Sequence, residues 1–173
     1  GVIAVGGAAI LTLPDLAQTD ADGLAAIGIG AATALVSGLA AITVALESSR
    51  LVTLTGVGGV GKTRLSLQVA AEVLPRFPHG AWFCELASAA EGESLLQVIA
   101  TALGVTPLSG MTLDQSIVAF LRSKSQLLIF DNCEHLLDAV SRLAESILRD
   151  CPTVRILASS REGLGVPGEQ MVA

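Results

Sequence analysis

The sequence contains no tyrosine, one tryptophan and four phenylalanines, and only 15% of its 173 residues are charged. The formal net charge is −6, so the ten lysine and arginine residues give no basic excess. Proteins that bind DNA or RNA directly present a basic surface. The composition therefore argues against direct nucleic-acid binding by this segment. Its length is that of one ordinary domain.

The three cysteines, Cys84, Cys133 and Cys151, are an odd set with no CxxC pair and no histidine at a spacing that suits zinc. We interpret them as small core residues or free thiols in a reducing cytoplasm. His79 and His135 are likewise not expected to bind metal. The sequence thus predicts no metal site built on cysteine or histidine.

Lysine and arginine are absent from the first 49 residues, and residues 24–46 form an uncharged, apolar run. The run is long enough to span a bilayer, and Gly30, Ala34 and Gly38 recur at a spacing that suits helix packing in lipid. Its flanks lack the basic residues and aromatic belt of a membrane span, and no secretory signal precedes it. We therefore predict an apolar helical or aberrant extension over residues 1–48 and a cytoplasmic location, with membrane association through 24–46 as the alternative.

From Leu51 onward, short apolar runs alternate with longer segments of helical period. The predicted strands are 51–55, 81–86, 126–131 and 154–160, and the predicted helices are 62–74, 93–104, 112–123 and 134–150. The strands are apolar almost throughout, as parallel strands buried on both faces must be. This alternation predicts an α/β fold over residues 49–173. Its three layers are a mainly parallel sheet with a layer of helices on each face.

Residues 56–63 read GVGGVGKT and match the phosphate-loop pattern G-x-x-x-x-G-K-[ST] at every fixed position, with a strand before and a helix after. The backbone N–H groups of such a loop can surround an anion, and the helix N-terminus adds positive potential. Lys62 is predicted to reach the β- and γ-phosphates, and Thr63 to bind Mg²⁺. The alternative is a glycine-rich turn with a solvated lysine. The predicted nucleotide-binding residues are Gly56, Val57, Gly58, Gly59, Val60, Gly61, Lys62, Thr63 and Arg64.

The segment QLLIFDNCEH places Asp131 at the end of a second apolar strand. Ligands of open α/β sheets lie at the carboxyl ends of strands, so we predict Asp131 to be a magnesium ligand. The alternative is that Asp131 or Asn132 caps the helix beginning near Glu134. Asn132 stands where many hydrolysing P-loop proteins have Glu or Asp, and an amide can orient a water but cannot accept its proton. Slow hydrolysis or none is therefore expected, with Glu134 as the nearest carboxylate.

The segment VRILASSRE ends a third strand with Ser159, Ser160 and Arg161. Arg161 is predicted to reach the γ-phosphate and to distinguish ATP from ADP. The alternative is a surface arginine in a loop. The candidate catalytic residues are thus Lys62, Asp131, Asn132 and Arg161.

Together, LVTLTGVGGVGKTRL, LLIFDNCEHLLDA and ILASSREGLGVPGE resemble the nucleotide-binding domain of signal-transduction ATPases with numerous domains, a class related to NB-ARC and AAA domains. More narrowly, they are similar to the branch found in bacterial LuxR-type and antibiotic-regulator-type transcriptional regulators. The resemblance covers about residues 49–171. It implies an ATP/ADP-dependent switch with Mg²⁺, in which the loop glycines, Lys62 and Thr63 bind phosphate and metal, Asp131 holds magnesium and Arg161 senses the γ-phosphate. The implied partners are other domains of a larger regulator, or further copies of the chain on activation.

The sequence departs from this family in two respects. Residues 1–48 lack the phenylalanine-valine-glycine-arginine-glutamate signature that usually lies near the adenine, so adenine recognition is left open. We also expect that the sequence, which ends at Ala173, does not reach the last core strand, the helical lid or the DNA-binding module of such regulators. The alternatives to a switch are a turnover-competent AAA+-like ATPase and a membrane-associated ATP-binding protein.

Overall fold

The computed structural model describes residues 3–5, 9–11, 29–90 and 92–173, with side chains over 37–90 and 94–173. The start of the predicted apolar run, residues 24–28, lies outside the described residues. The strands are β1 (Ile3–Val5), β2 (Ala9–Leu11), β3 (Leu51–Thr55), β4 (Ala81–Glu85), β5 (Leu127–Asp131), β6 (Arg155–Ser160) and β7 (Glu169–Val172). The helices are α1 (Ile29–Ser48), α2 (Lys62–Val73), α3 (Gly92–Leu103), α4 (Leu113–Leu121) and α5 (Leu137–Asp150), with 3₁₀ turns at Leu74–Arg76 and Cys133–His135.

The described strands form one sheet in the order β2-β1-β4-β5-β6-β3-β7. All neighbours are parallel except β1 and β2, which are antiparallel. The strand that precedes GVGGVGKT, β3, lies between β6 and β7, and β6 separates it from β5. The predicted α/β fold with a mainly parallel sheet is confirmed.

Helices cover both faces of the sheet because alternate residues of each strand point to opposite sides. On β5, Leu127 and Ile129 pack in the core beneath α1 and α2. Leu128 and Phe130 pack in the opposite core, beneath α3, α4 and α5. The stripe predicted on α5 is formed by the buried residues Val140, Leu143, Ala144 and Ile147. Burial on both faces explains why the central strands are apolar throughout.

The carboxyl ends of β3, β5 and β6 meet at one edge of the sheet. Phe130 is in register with Ala158, which places Asp131 level with Ser159 on the neighbouring strand. Ser160 is likewise in register with Thr55, the last residue before the glycine-rich loop. The three segments that the sequence analysis singled out therefore leave the sheet side by side.

Strand β7 occupies a position for which the sequence analysis predicted no strand. Residues 169–172 pair in parallel with 51–54 at one edge of the described sheet. The segment EQMV has two polar residues followed by two apolar ones, and Met171 is 63% exposed. An edge strand needs no continuous apolar run, so the pattern that revealed the buried strands could not reveal this one.

Helix α1 packs against the domain along the half whose side chains are described. Ile42, Ala45 and Leu46 are buried in the same core as Val52 of β3 and Val69 of α2. No helix in the described part of the chain is both long and apolar enough to cross a membrane. The predicted division of the chain at residue 48 stays a prediction, although α1 shares its core with the sheet.

Candidate functional site

The glycine-rich loop joins β3 to α2, which begins at Lys62. Gly59 and Gly61 adopt φ angles of 81° and 95°, in the left-handed region that side chains with a Cβ disfavour. This backbone allows the chain to turn sharply into the helix, and the Leu65 N–H already donates to Gly61 O at 2.9 Å. The loop exposes Val57 and Val60, at 71% and 61% of their surfaces. The sequence-predicted loop residues therefore form an open, backbone-lined turn at a helix N-terminus.

Lys62 lies across the loop. Its ammonium group donates to the carbonyl oxygens of Gly56 at 2.6 Å and Val57 at 3.0 Å. Arg64, also predicted to bind nucleotide, is half-buried, and its Nη2 atom has no hydrogen-bond partner. The Lys62 side chain is thus half-buried and directed over the loop, and its contact with phosphate stays a prediction.

Asp131 is the link between the loop and the sheet. Its carboxylate is 5% exposed and accepts a hydrogen bond from the Thr63 hydroxyl, with an Oγ1–Oδ2 distance of 2.8 Å. The second carboxylate oxygen, Oδ1, accepts a bond from the Ser159 hydroxyl. Asn132 occupies the N-cap position of the 3₁₀ turn that follows, but neither its side chain nor that of Asp131 makes a capping hydrogen bond to that turn or to α5.

Asn132 reverses the chain direction at the end of β5. It is the one non-glycine residue of the described chain with a positive φ, at 67°. Asparagine adopts this left-handed conformation more readily than most residues do. Its N–H donates to Ser159 Oγ at 3.0 Å, so Ser159 binds Asp131 and Asn132 together. The Asn132 position therefore fixes the backbone of the turn.

Arg161 follows β6 and lies beside both other segments. Its Nε atom is 3.3 Å from Glu134 Oε1. Its Nη2 atom is 4.0 Å from the point where a Cβ on Gly58 would stand. The structure therefore places Arg161 beside the glycine-rich loop and pairs it with a carboxylate, and its contact with a γ-phosphate stays a prediction.

The loop after Arg161 is hydrogen-bonded to Glu169 of β7. Its carboxylate accepts hydrogen bonds from the N–H groups of Leu164 and Gly165, both at 2.8 Å. Ser141 of α5 donates to Leu164 O at 2.6 Å. These contacts hold the segment that begins at Arg161 against the sheet edge.

The donor set fits a nucleotide with magnesium. A positively charged side chain, a turn rich in backbone N–H groups and a helix N-terminus suit a polyphosphate. A hydroxyl and a carboxylate oxygen within 2.8 Å of each other suit Mg²⁺, which prefers oxygen ligands. Thr63 and Asp131 are therefore the residues that would hold the metal ion, and Lys62 with the loop would hold the phosphates.

Ser159 is the residue that sequence reasoning missed. It was noted as part of a strand end, without a role. Its importance arises because β5 and β6 are neighbours with Phe130 and Ala158 in register. The available signal was the pair of polar residues that follow two apolar runs, since the carboxyl ends of parallel strands meet at one edge of a sheet.

A family model for the AAA domain matches residues 45–166. The chain belongs to the AAA-domain family. The matched part begins near the end of α1 and ends after the β6 strand, so it includes the glycine-rich loop, Asp131 and Arg161. Members of this family have the P-loop NTPase fold, which implies nucleotide binding.

Two proteins of Mycobacterium tuberculosis are similar to this AAA domain. An uncharacterized protein is 40% identical over 124 residues, which are 72% of this chain and 32% of that protein. A protein named as a candidate HTH-type transcriptional regulator is 42% identical over 124 residues, which are 72% of this chain and 14% of that protein. The chain thus spans about a third and about a seventh of the lengths of these relatives.

A solved structure supports the same fold. The AAA domain resembles a signal-transduction ATPase with numerous domains that carries a tetratricopeptide repeat sensor, from Pyrococcus horikoshii, with a TM-score of 0.55. The match covers 78% of this chain and 22% of the other, at 15% sequence identity. At that identity the likeness shows the shared fold alone.

Proposed function

We propose that this AAA domain binds ATP or ADP with Mg²⁺ and acts as a nucleotide-dependent switch, with slow hydrolysis or none, in a larger regulator of transcription. The observation that carries the proposal is the 2.8 Å contact between the Thr63 hydroxyl and the Asp131 carboxylate. It joins the first residues of the phosphate-loop helix to the end of β5 and brings together the two oxygen ligands that a magnesium nucleotide requires.

In this proposal the phosphates lie in the turn formed by residues 56–61. The turn's N–H groups and the N-terminus of α2 stabilise negative charge, and Lys62 exchanges its contacts with the Gly56 and Val57 carbonyls for phosphate oxygens. Thr63 and Asp131 would hold Mg²⁺, which would neutralise part of the phosphate charge. Ser159 keeps the Asp131 carboxylate in place through a hydrogen bond to its other oxygen.

Slow turnover follows from the residues that surround this position. Asn132 has no group that can accept a proton from water, and its backbone conformation is fixed by the turn. Glu134, the next carboxylate along the chain after Asp131, is paired with Arg161. A general base must be within hydrogen-bond reach of the proton that it abstracts. A site with an amide next to Asp131, and with Glu134 engaged by Arg161, is suited to holding ATP rather than to consuming it quickly.

The regulatory context is proposed from the relatives. The similarity to a protein named as an HTH-type regulator, of which this chain spans 14%, supports a role as one domain among several. The partners would be the other domains of such a regulator, or further copies of the chain on activation. DNA binding would belong to another domain, since this chain has a formal net charge of −6.

A turnover-competent ATPase is the second candidate. It is favoured by the Oε2 atom of Glu134, which is buried without a hydrogen-bond partner beside the site. Phosphate release measured at saturating ATP separates the two functions. A steady-state rate above about 1 s⁻¹, the lower end of ordinary enzyme turnover, would contradict the switch.

Lys62→Ala tests nucleotide binding itself. We expect its affinity for a fluorescent ATP analogue with Mg²⁺ to fall about 10- to 100-fold, because a hydrogen bond to a charged group contributes about 1.5–3 kcal/mol. Titration followed by fluorescence anisotropy measures the change. The matched control is Lys124→Ala, which removes a lysine that lies over the Phe120 ring, away from the loop. Equal affinities for the two variants would overturn the assignment.

A further inference from the structure

The turn that carries Glu134 is held in place on three sides. Asn132 begins it with a hydrogen bond from its N–H to Ser159 Oγ. Cys133 is fully buried in the core, and His135 Nε2 lies 2.8 Å from Ala89 O. The Leu136 N–H closes the turn on Cys133 O at 2.9 Å. Glu134 therefore has a fixed backbone, and its side chain can reach only a small region.

The Glu134 carboxylate is mostly buried, with 19% of its side chain exposed. Its Oε1 atom faces Arg161, and its Oε2 atom is buried without a hydrogen-bond partner. A buried carboxylate oxygen without a hydrogen-bond partner carries a desolvation cost. A residue with only a structural role would not require this cost. The ion pair with Arg161 is thus the contact that stabilises the Glu134 charge.

The two partners differ in their freedom to move. The Arg161 side chain is 69% exposed, whereas that of Glu134 is 19% exposed. The Arg161 guanidinium also lies beside Gly58 of the phosphate loop. Arg161 can therefore turn from Glu134 toward a group bound in the loop, while Glu134 cannot follow it.

We infer that Glu134 sets the preference of the site between ATP and ADP by competing with the γ-phosphate for Arg161. The inference rests on the proposed nucleotide binding. A guanidinium binds phosphate oxygens as strongly as it binds a carboxylate, so ATP offers Arg161 an alternative partner. ADP ends one phosphate earlier and leaves the ion pair intact. ATP binding thus carries the cost of breaking the Glu134–Arg161 pair, and ADP binding does not, which makes Glu134 a specificity-determining residue.

Glu134→Gln tests this role because it removes the charge and keeps the shape. We expect ATP to bind about two- to fivefold more tightly, as the loss of a partly exposed ion pair predicts, with ADP affinity unchanged. Isothermal titration of the full chain with each nucleotide and MgCl₂ gives the ratio of the two dissociation constants. Glu145→Gln, on the exposed side of α5, is the matched control and should leave that ratio unchanged. Glu134→Asp retracts the carboxylate from Arg161 and should shift the ratio in the same direction, which keeps the test valid if Glu134→Gln does not fold.

The role of Arg161 gives a second readout. Arg161→Ala should weaken ATP binding and leave ADP binding unchanged, and adding Glu134→Gln to it should change neither affinity further. A ratio that is unchanged in Glu134→Gln and Glu134→Asp would overturn the inference, even if phosphate release fell and identified Glu134 as a catalytic base. The proposed function fails separately. It fails if the unmodified chain binds neither nucleotide, or if Lys62→Ala binds ATP and ADP with the same affinities as the unmodified chain.

Discussion

At the scale of single residues, Ser159 connects the two halves of the site. Its hydroxyl donates to Asp131 Oδ1 and accepts from the Asn132 N–H. One side chain thus holds the proposed magnesium ligand and the turn that carries Glu134. A serine can fill both roles because a hydroxyl is a donor and an acceptor at once.

Ser159→Ala should destabilise the folded domain by about 1–3 kcal/mol, since it leaves the nearly buried Asp131 carboxylate without one donor. Urea denaturation measures the difference in the free energy of unfolding. The control is Ser160→Ala on the same strand, whose Oγ accepts a long 3.5 Å contact from the Glu162 N–H. Equal losses in the two variants would show that the Ser159 bonds contribute nothing specific.

The residues of the candidate site differ in whether consecutive positions of the sequence are enough to predict their roles. Lys62 and Thr63 were found because the phosphate-loop pattern occupies eight consecutive positions, and Asp131 because it directly ends an apolar strand. Ser159 and the Glu134–Arg161 pair arise from contacts between segments that are 27 or 28 residues apart in the chain. Strand neighbours cannot be read from a single sequence, so the partners of these residues needed the fold.

At the scale of elements, the packing of α1 is a feature that composition did not predict. Its glycine- and alanine-rich sequence predicted a separate extension, yet Ile42 is fully buried against the sheet. Arg155 of β6 donates to the Ser49 carbonyl at 2.7 Å and also to the Leu46 carbonyl near the end of the helix. A cation at a helix C-terminus stabilises the last carbonyl groups, so α1 is bonded to the domain as well as packed on it.

Ile42→Ala tests whether α1 belongs to the folding unit. We expect a loss of about 2–5 kcal/mol in the free energy of unfolding, because the substitution opens a cavity in the core shared with β3 and α2. Val44→Ala is the control on the same helix, since Val44 is 62% exposed and should change stability little. Chemical denaturation of both variants decides the point. A small effect of Ile42→Ala would mean that α1 is dispensable for the stability of the domain.

Element prediction succeeded where burial was complete and failed at the sheet edge. The strands β3 to β6 lie between two layers of helices, and their continuous apolar runs predicted them within one residue. β7 has one exposed side, and its Glu169 and Gln170 resemble loop residues. A strand that is half in solvent loses the sequence signal that sheet burial creates.

At the scale of the whole molecule, the three cysteines show how completely the core beneath α3, α4 and α5 excludes water. Cys84, Cys133 and Cys151 are free and buried. Burial raises the pKa of the Cys84 thiol to about 12, and burial together with the nearby Asp131 charge raises the pKa of Cys133 even further. Since the thiolate is the reactive form, these thiols are protected in the folded protein.

This protection has a pH signature. An unfolded thiol ionises near pH 8.5, whereas folded Cys84 keeps its proton to about pH 12. The folded state therefore binds more protons in this window, and the stability present below about pH 8.5 should be lost progressively as the pH rises toward 12. The free energy of unfolding, measured from pH 8 to 11, should fall more steeply in the unmodified chain than in Cys84→Ala. Parallel slopes would contradict the protected thiol.

Strand β7 connects two parts of the candidate site, the glycine-rich loop and the segment that begins at Arg161. It shares backbone hydrogen bonds with β3, which leads into the phosphate loop, and its Glu169 holds the loop that begins at Arg161. A displacement of β7 would thus act on the glycine-rich loop and on the Arg161 segment at once. If the domain binds ATP and ADP as proposed, coupling between the nucleotide and this strand is reciprocal, so tension on β7 and the choice between ATP and ADP would change each other by the same free energy. On that proposal, the nucleotide state would be equivalent to a force on one four-residue strand.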